Sequence, residues 1–180
     1  MILERLYLWP LKKILKILLI LAIIGFIIAI PLMMYFYMIS GFPVDFTTSQ
    51  LSFSGQKLKD WYSATPDLRS YSIAQLFDYG FMVSYGLLAF SLALLISRKY
   101  EESSKWAKSG IIIAMIGISG AVLDALENMM ILLTVANPTD FPDAIAIIHS
   151  FLALFKFICL IIAICWAIIA GINSFIKKKE

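Results

Sequence analysis

The sequence predicts an all-α fold: a four-helix transmembrane bundle with a short interfacial helix in the first outer loop. Hydrophobic residues make up 61% of the 180 residues, a composition typical of membrane proteins. Apolar runs of about 18 residues or more cross a hydrocarbon core of roughly 30 Å, and the sequence contains four of them. We place the spans at residues 14–39, 73–97, 109–135 and 144–173, with an outer loop at residues 40–72.

The four runs leave little chain for any other structure. We therefore expect a single integral membrane domain over residues 1–180, without a soluble catalytic module. Buried helices of a soluble protein would need polar elements to cover them, and the sequence has none to spare. The function classes that depend on a separate soluble domain are excluded on this ground.

The basic residues are distributed unevenly along the chain. Eleven of the fifteen lie before the first span, between the second and third, or after the fourth, at Arg5, Lys12, Lys13, Lys16, Arg98, Lys99, Lys105, Lys108, Lys177, Lys178 and Lys179. The positive-inside rule then places both termini in the cytoplasm and the loops 40–72 and 136–143 outside. Because basic clusters beside a membrane commonly determine topology, we expect the lipid bilayer as a partner and no nucleic acid.

The first span is predicted to be an uncleaved membrane anchor. Its apolar run is too long for a signal-peptide h-region, and no small-x-small cleavage site follows it. Pro31 lies within this span and is expected to kink it. The span carries no other distinctive feature, so its predicted role is packing.

The outer loop contains the predicted interfacial helix. Ser54 is a suitable N-cap residue, and Leu58, Trp61 and Tyr62 then fall on one face of a short helix. Such a helix would lie at the outer interface with its aromatic face on the bundle or the lipid. Two interpretations stay open, a plug for the top of the bundle and a lid over an outward-facing cavity.

The third span carries three polar side chains on one face. Asp124, Glu127 and Asn128 stand at positions i, i+3 and i+4 of a helix, and Gly117 shares their face. A charged side chain near the bilayer centre costs at least about 2.5 kcal/mol, so this face is expected to point into a protein interior.

The second and fourth spans carry two polar residues each. Asp78 and Tyr85 are seven residues apart in the second span, as are His149 and Lys156 in the fourth, so each pair occupies one stripe of its helix. Helical rise places the polar residues of all three spans in matched layers at depths of about 7–8, 10–12 and 16–18 Å from the outer ends. We therefore expect one buried polar site in the outer half of the bundle.

The charge inventory of this site comprises three acids, one lysine and one histidine. Depth makes Asp124 the expected partner of Lys156, and His149 is expected to pair with Asp78. Glu127, buried without a cation of its own, is then expected to be a neutral acid. No metal site or cofactor is predicted, because Cys159 and Cys165 have no further ligand at metal spacing and face nearly opposite sides of one helix.

These features support three functional interpretations. The leading one is a membrane protein that binds a small or lipid-derived molecule at Asp78, Tyr85, Asp124, Glu127, Asn128, His149 and Lys156. The second is a non-catalytic structural or accessory subunit of a larger membrane complex, whose polar residues fix helix packing. The third is a proton- or cation-coupled carrier acting as a homodimer. The chain contains no Ser-His-Asp pattern, phosphate loop or haem pair, so we assign no catalytic residue and favour a non-enzyme.

The polar motifs resemble those of a group of uncharacterised small prokaryotic four-span membrane proteins. The matching pieces are Phe77-Asp78 with Tyr85, Leu123-Asp124-Ala125-Leu126-Glu127-Asn128, and Phe155-Lys156. The resemblance implies the same site residues and a prokaryotic cell membrane, and it implies no particular activity. A looser similarity, at the level of the fold alone, exists to the sterol-isomerase and sigma-2-receptor-like four-helix proteins.

Overall fold

The computed structural model describes residues 2–176, and the side chains of residues 5–176. Over this range the chain forms seven helices and no strand, which confirms the predicted all-α class and its four long apolar helices. Lys177, Lys178 and Lys179, which enter the charge-asymmetry argument, lie outside the described residues. The helices are α1 (Ile2–Leu8), α2 (Lys12–Ser40), α3 (Phe46–Gln50), α4 (Gly55–Ala64), α5 (Leu68–Ser97), α6 (Lys105–Ala136) and α7 (Asp143–Ile176).

Four of the helices are long and apolar enough to cross a membrane. They are α2, α5, α6 and α7, with 29 to 34 residues each, and they correspond to the four predicted spans. At a rise of about 1.5 Å per residue, each exceeds the thickness of a hydrocarbon core. The chain therefore has the architecture of an integral membrane protein.

Helix α5 begins earlier than predicted, because Asp67 caps it. The Asp67 carboxylate accepts hydrogen bonds from the Ser70 backbone N–H at 3.0 Å and from the Ser70 hydroxyl at 2.7 Å. These hydrogen bonds hold the pKa of the exposed Asp67 carboxyl below its usual value. The first turn of α5 is thus built from a polar stretch that hydropathy alone leaves in the loop.

The loop between α2 and α5 contains two short helices. The predicted one is α4, and the Ser54 hydroxyl caps it by accepting a hydrogen bond from the Lys57 N–H at 3.3 Å. The second, α3, was not predicted, although Asp45 caps it in the same manner through the Thr48 N–H at 2.9 Å. An aspartate with a threonine three residues later, as in Asp45-Phe46-Thr47-Thr48, is an N-cap signal that a hydrophobicity pattern does not register.

The chain forms two compact units, and each long helix contributes one half to each of them. The first unit contains the described residues up to Ile24, Val83–Ala121 and the described residues from Phe157 on; the second contains Gly25–Met82 and Val122–Lys156. Buried aliphatic side chains such as Leu15, Leu94 and Ile111 form a core of the first unit. The core of the second is mainly aromatic.

Small residues allow α5 and α6 to approach closely within the first unit. A Cβ atom on Gly117 would lie 2.5 Å from the Ala89 Cβ, and one on Gly86 would lie 2.9 Å from the Ala121 Cβ. Neither distance leaves room for a methyl group. Gly117 and Gly86 therefore allow the close packing of α5 against α6 here.

Gly117→Ala is expected to destabilise the protein by about 1–3 kcal/mol, because the added methyl group overlaps Ala89. Gly171→Ala is the matched control in the same unit, since its Cβ would lie 3.8 Å from the Ile96 Cδ1, an ordinary contact. Thermal unfolding of both variants in one detergent measures the difference. Equal melting temperatures for the two variants would contradict the close contact.

Candidate functional site

The centre of the candidate site is a lysine between two carboxylates. Lys156 of α7 places its Nζ 2.6 Å from the Asp124 Oδ1 and 2.5 Å from the Glu127 Oε2. Asp124 and Glu127 share one face of α6 because they are three residues apart. Lys156 contacts Asp124, as predicted, and it contacts Glu127 as well. All three side chains are at most 4% exposed.

His149 pairs with a different acid from the one expected. Its Nε2 lies 3.4 Å from the Glu127 Oε1, so the predicted pairing of His149 with Asp78 is wrong. His149 and Lys156 occupy one stripe of α7 two turns apart, and Glu127 is long enough to reach toward both. Glu127 is therefore flanked by two bases, each contributed by α7.

Asp78 of α5 is buried beside this cluster, with 5% of its surface exposed. The charges of Asp124, Lys156 and Glu127 all act on it. Within the described residues no basic side chain stands within ion-pair distance of the Asp78 carboxyl. Asp78 is thus the one acid of the cluster that lacks an ion pair there.

Asn128 connects α6 to α5 through a residue that the sequence analysis missed. Its Nδ2 donates a hydrogen bond to the backbone carbonyl of Gln75 at 2.6 Å. Gln75 is completely buried and lies one turn before Asp78. An amide side chain in an apolar run three residues from an acid was a usable signal, and we therefore add Gln75 to the candidate site.

Several buried polar atoms around the cluster have no hydrogen-bond partner among the described residues. The clearest are the Asn128 Oδ1 and the His149 Nδ1, which belong to side chains that are 1% and 2% exposed. The Gln75 side-chain amide makes no hydrogen bond of good geometry either, although it interacts with Tyr71. Buried polar groups are normally satisfied, so these atoms mark an incomplete network.

Tyr85 lies in a different unit from the other predicted site residues. Its hydroxyl donates a hydrogen bond to the Gly120 carbonyl at 3.0 Å within the first unit. The remaining six belong to the second unit, at Asp78, Asp124, Glu127, Asn128, His149 and Lys156. Seven residues correspond to about 10 Å along a helix, so a shared stripe places Asp78 and Tyr85 on one face but at different levels.

The predicted lid residues lie in the aromatic core of the second unit. Leu58 and Tyr62 are almost fully buried, and Trp61 packs against the same cluster. The Tyr62 hydroxyl is hydrogen-bonded to the Thr134 Oγ1 at 2.9 Å, and burial raises the pKa of Tyr62 to about 12. Tyr62 is therefore a neutral hydroxyl at physiological pH, and helix α4 is packed firmly onto this unit.

The described part of the chain contains no group of three or more His, Cys, Asp or Glu side chains arranged to hold a metal ion. Cys159 and Cys165 are both free thiols. The side chains of the cluster carry carboxyl, ammonium, imidazole and amide groups.

Comparison with protein-family models, curated proteins and solved structures finds no match to this chain. The resemblance to the four-span group therefore stays a prediction.

Lys156→Met is expected to destabilise the protein by about 3–5 kcal/mol, because it leaves Asp124 and Glu127 buried without their lysine. Adding Asp124→Asn should recover part of the loss, and adding Glu127→Gln as well should recover more, since each change removes one stranded charge. Melting temperatures of the single, double and triple variants in one detergent measure the series. Identical losses of melting temperature in all three variants would show that the ion pairs do not contribute to stability.

Proposed function

We propose that the protein binds a small or lipid-derived molecule in the second unit, at Asp78, Asp124, Glu127, Asn128, His149 and Lys156, with Gln75 as an added contact. The observation that carries this proposal is the pair of unpartnered buried atoms, the Asn128 Oδ1 and the His149 Nδ1, beside the lysine–carboxylate cluster. Leaving a buried polar atom unpaired costs about 1–3 kcal/mol. A bound molecule with its own polar group recovers that cost.

The surroundings of the cluster suit an amphiphilic molecule. Leu126 and Met129 flank Glu127 and Asn128 along α6 and are both exposed apolar side chains. The same turns of α6 therefore present polar atoms inward and apolar surface outward. The outward surface suits the hydrocarbon of a bilayer, and the inward polar atoms suit a polar group of the bound molecule.

A second candidate function, that of a structural or accessory membrane subunit, is favoured by the connections between helices. Lys156 joins α7 to two acids of α6, and Asn128 joins α6 to the backbone of α5 at Gln75. Polar contacts between membrane helices average only about 0.6 kcal/mol, so packing alone is a weak reason for three buried acids. We therefore rank ligand binding first.

We also propose that both termini face the cytoplasm. Basic residues lie before α2 or in its first turns, and between α5 and α6 or in the first turn of α6, at Arg5, Lys12, Lys13, Lys16, Arg98, Lys99, Lys105 and Lys108. The loop from α2 to α5 holds only Lys57 and Lys59, and Arg69 lies at the start of α5. This asymmetry supports the proposed orientation through the positive-inside rule.

Native mass spectrometry of protein released from lipid nanodiscs tests the ligand proposal. We expect a discrete bound mass on the wild-type protein and its loss from Glu127→Gln, because the variant weakens the centre of the cluster. Ser91→Ala is the matched control: Ser91 is also a buried polar residue, but it belongs to the first unit, so its variant should retain the mass.

Two results would contradict the ligand proposal. One is a bound mass that persists in Glu127→Gln, which would place the molecule elsewhere. The other is no bound mass on any protein with equal melting temperatures throughout, which would favour the structural alternative and assign the unpartnered atoms to ordered water.

A further inference from the structure

We propose that the junction of α1 and α2 binds an anionic phospholipid. The binding surface, called the junction surface below, combines exposed apolar side chains with lysines, at Leu8, Trp9, Leu11, Lys12, Lys13 and Lys16. It belongs to the first unit, whereas the ligand site proposed above belongs to the second, so neither proposal depends on the other.

Hydrogen bonds from the connection between α5 and α6 hold α1 in place. The Arg98 guanidinium donates to the Leu6 carbonyl at 3.1 Å and to the Pro10 carbonyl at 2.6 Å. The Tyr7 hydroxyl donates to the Tyr100 carbonyl at 2.9 Å. Carbonyls at the end of a helix lack partners within it, and a basic side chain can satisfy them. These contacts therefore fix a helix that, with seven residues, is too short to be stable alone.

This attachment determines which side of α1 is exposed. Leu6 and Tyr7 pack against the aliphatic core of the first unit. Leu8, Trp9 and Leu11 are instead 61% to 68% exposed. Adjacent large apolar side chains with this exposure mark an interaction surface, and tryptophan is enriched where a membrane span meets the lipid head groups. The apolar part of the junction surface thus suits the hydrocarbon just below the head groups.

Three lysines follow this apolar stretch in the first turns of α2. Lys12, Lys13 and Lys16 are exposed, and within the described residues no acidic side chain lies at ion-pair distance from them. Residues 1–16 contain four basic residues and a single acid, Glu4. Positions three and four apart on a helix are neighbours, so Lys16 lies beside both other lysines and repels them. An anion beside the three ammonium groups relieves that repulsion.

An anionic phospholipid fits both parts of the junction surface. Its phosphate meets the lysines, and its acyl chains cover Trp9 and the two leucines. A zwitterionic lipid offers the same hydrocarbon without a net charge, and an acidic soluble partner offers the charge without the hydrocarbon. Each basic residue near a membrane surface strengthens binding to anionic lipid about fivefold, so three lysines give a clear preference for the anionic head group.

Native mass spectrometry of the protein in detergent, titrated with phosphatidylglycerol or with phosphatidylcholine of the same acyl chains, tests the proposal. We expect the wild-type protein to bind phosphatidylglycerol more tightly. Its affinity should fall about fivefold in Lys13→Gln and further in Lys13→Gln/Lys16→Gln, whereas the affinity for phosphatidylcholine should not change. Lys57→Gln is the matched control, because Lys57 is an exposed lysine of α4 in the second unit, so this variant should bind like wild type.

Three results of the titration would overturn the proposal. Equal affinities of the wild-type protein for the two lipids would do so without any variant. An unchanged affinity for phosphatidylglycerol in Lys13→Gln/Lys16→Gln would place the lipid elsewhere. An equal loss in Lys57→Gln would show that the net charge of the protein, and not the junction surface, attracts the lipid.

Trp9→Ala tests the apolar part of the junction surface in the same titration. It should weaken the binding of both lipids by a similar factor, because the acyl chains are identical, whereas the lysine variants affect phosphatidylglycerol alone. Trp9→Phe keeps an aromatic ring and should retain most of the affinity. Unchanged binding of both lipids in Trp9→Ala would contradict the contact of the hydrocarbon with Trp9 and overturn this part of the proposal.

Discussion

The contact of Lys156 with Asp124 and Glu127 is the constraint on which the rest of the second unit depends. A charged group in an apolar interior is tolerated only where opposite charges meet it at short distance, and here one ammonium group meets two carboxylates. This requirement fixes which face of α6 is turned toward α7. Once that face is fixed, Asn128 is directed toward α5 and Leu126 toward the outside.

The loop between α2 and α5 covers the same unit, and its ends meet. Gly41 adopts a φ of +66°, which glycine accepts at little cost, and the Asp67 N–H donates to the Ser40 carbonyl at 3.2 Å. A Cβ on Gly41 would lie 2.9 Å from the Pro66 Cδ, so the turn leaves no room for a side chain. The Phe42 ring stacks on Tyr71 at 4.4 Å and ties this turn to the first part of α5.

The sequence was sufficient to predict the four long helices, the capped helix α4 and the contact of Lys156 with Asp124, because hydropathy, N-cap chemistry and helical spacing are local properties. It was not sufficient for the partner of His149. The seven-residue spacing specifies which face of α7 carries His149. The acid that His149 contacts depends also on how α7 is rotated about its own axis, and on the greater length of a glutamate side chain compared with an aspartate side chain. Tyr85 lies in the part of α5 that belongs to the first unit, and its place in the predicted site stays a prediction.

Because the four long helices are buried to different extents, their residues can be substituted in evolution with different freedom. In their most apolar windows α2 and α7 are only 17% buried, whereas α5 is 50% buried. At most positions of α2 the only requirement is therefore a hydrophobic side chain, and isoleucine, leucine and valine are interchangeable there. On α7 the same freedom is interrupted at His149 and Lys156, two positions where chemical identity matters. Among homologues, substitution should accordingly be fast and conservative along α2, and slow along the polar stripes of α5, α6 and α7.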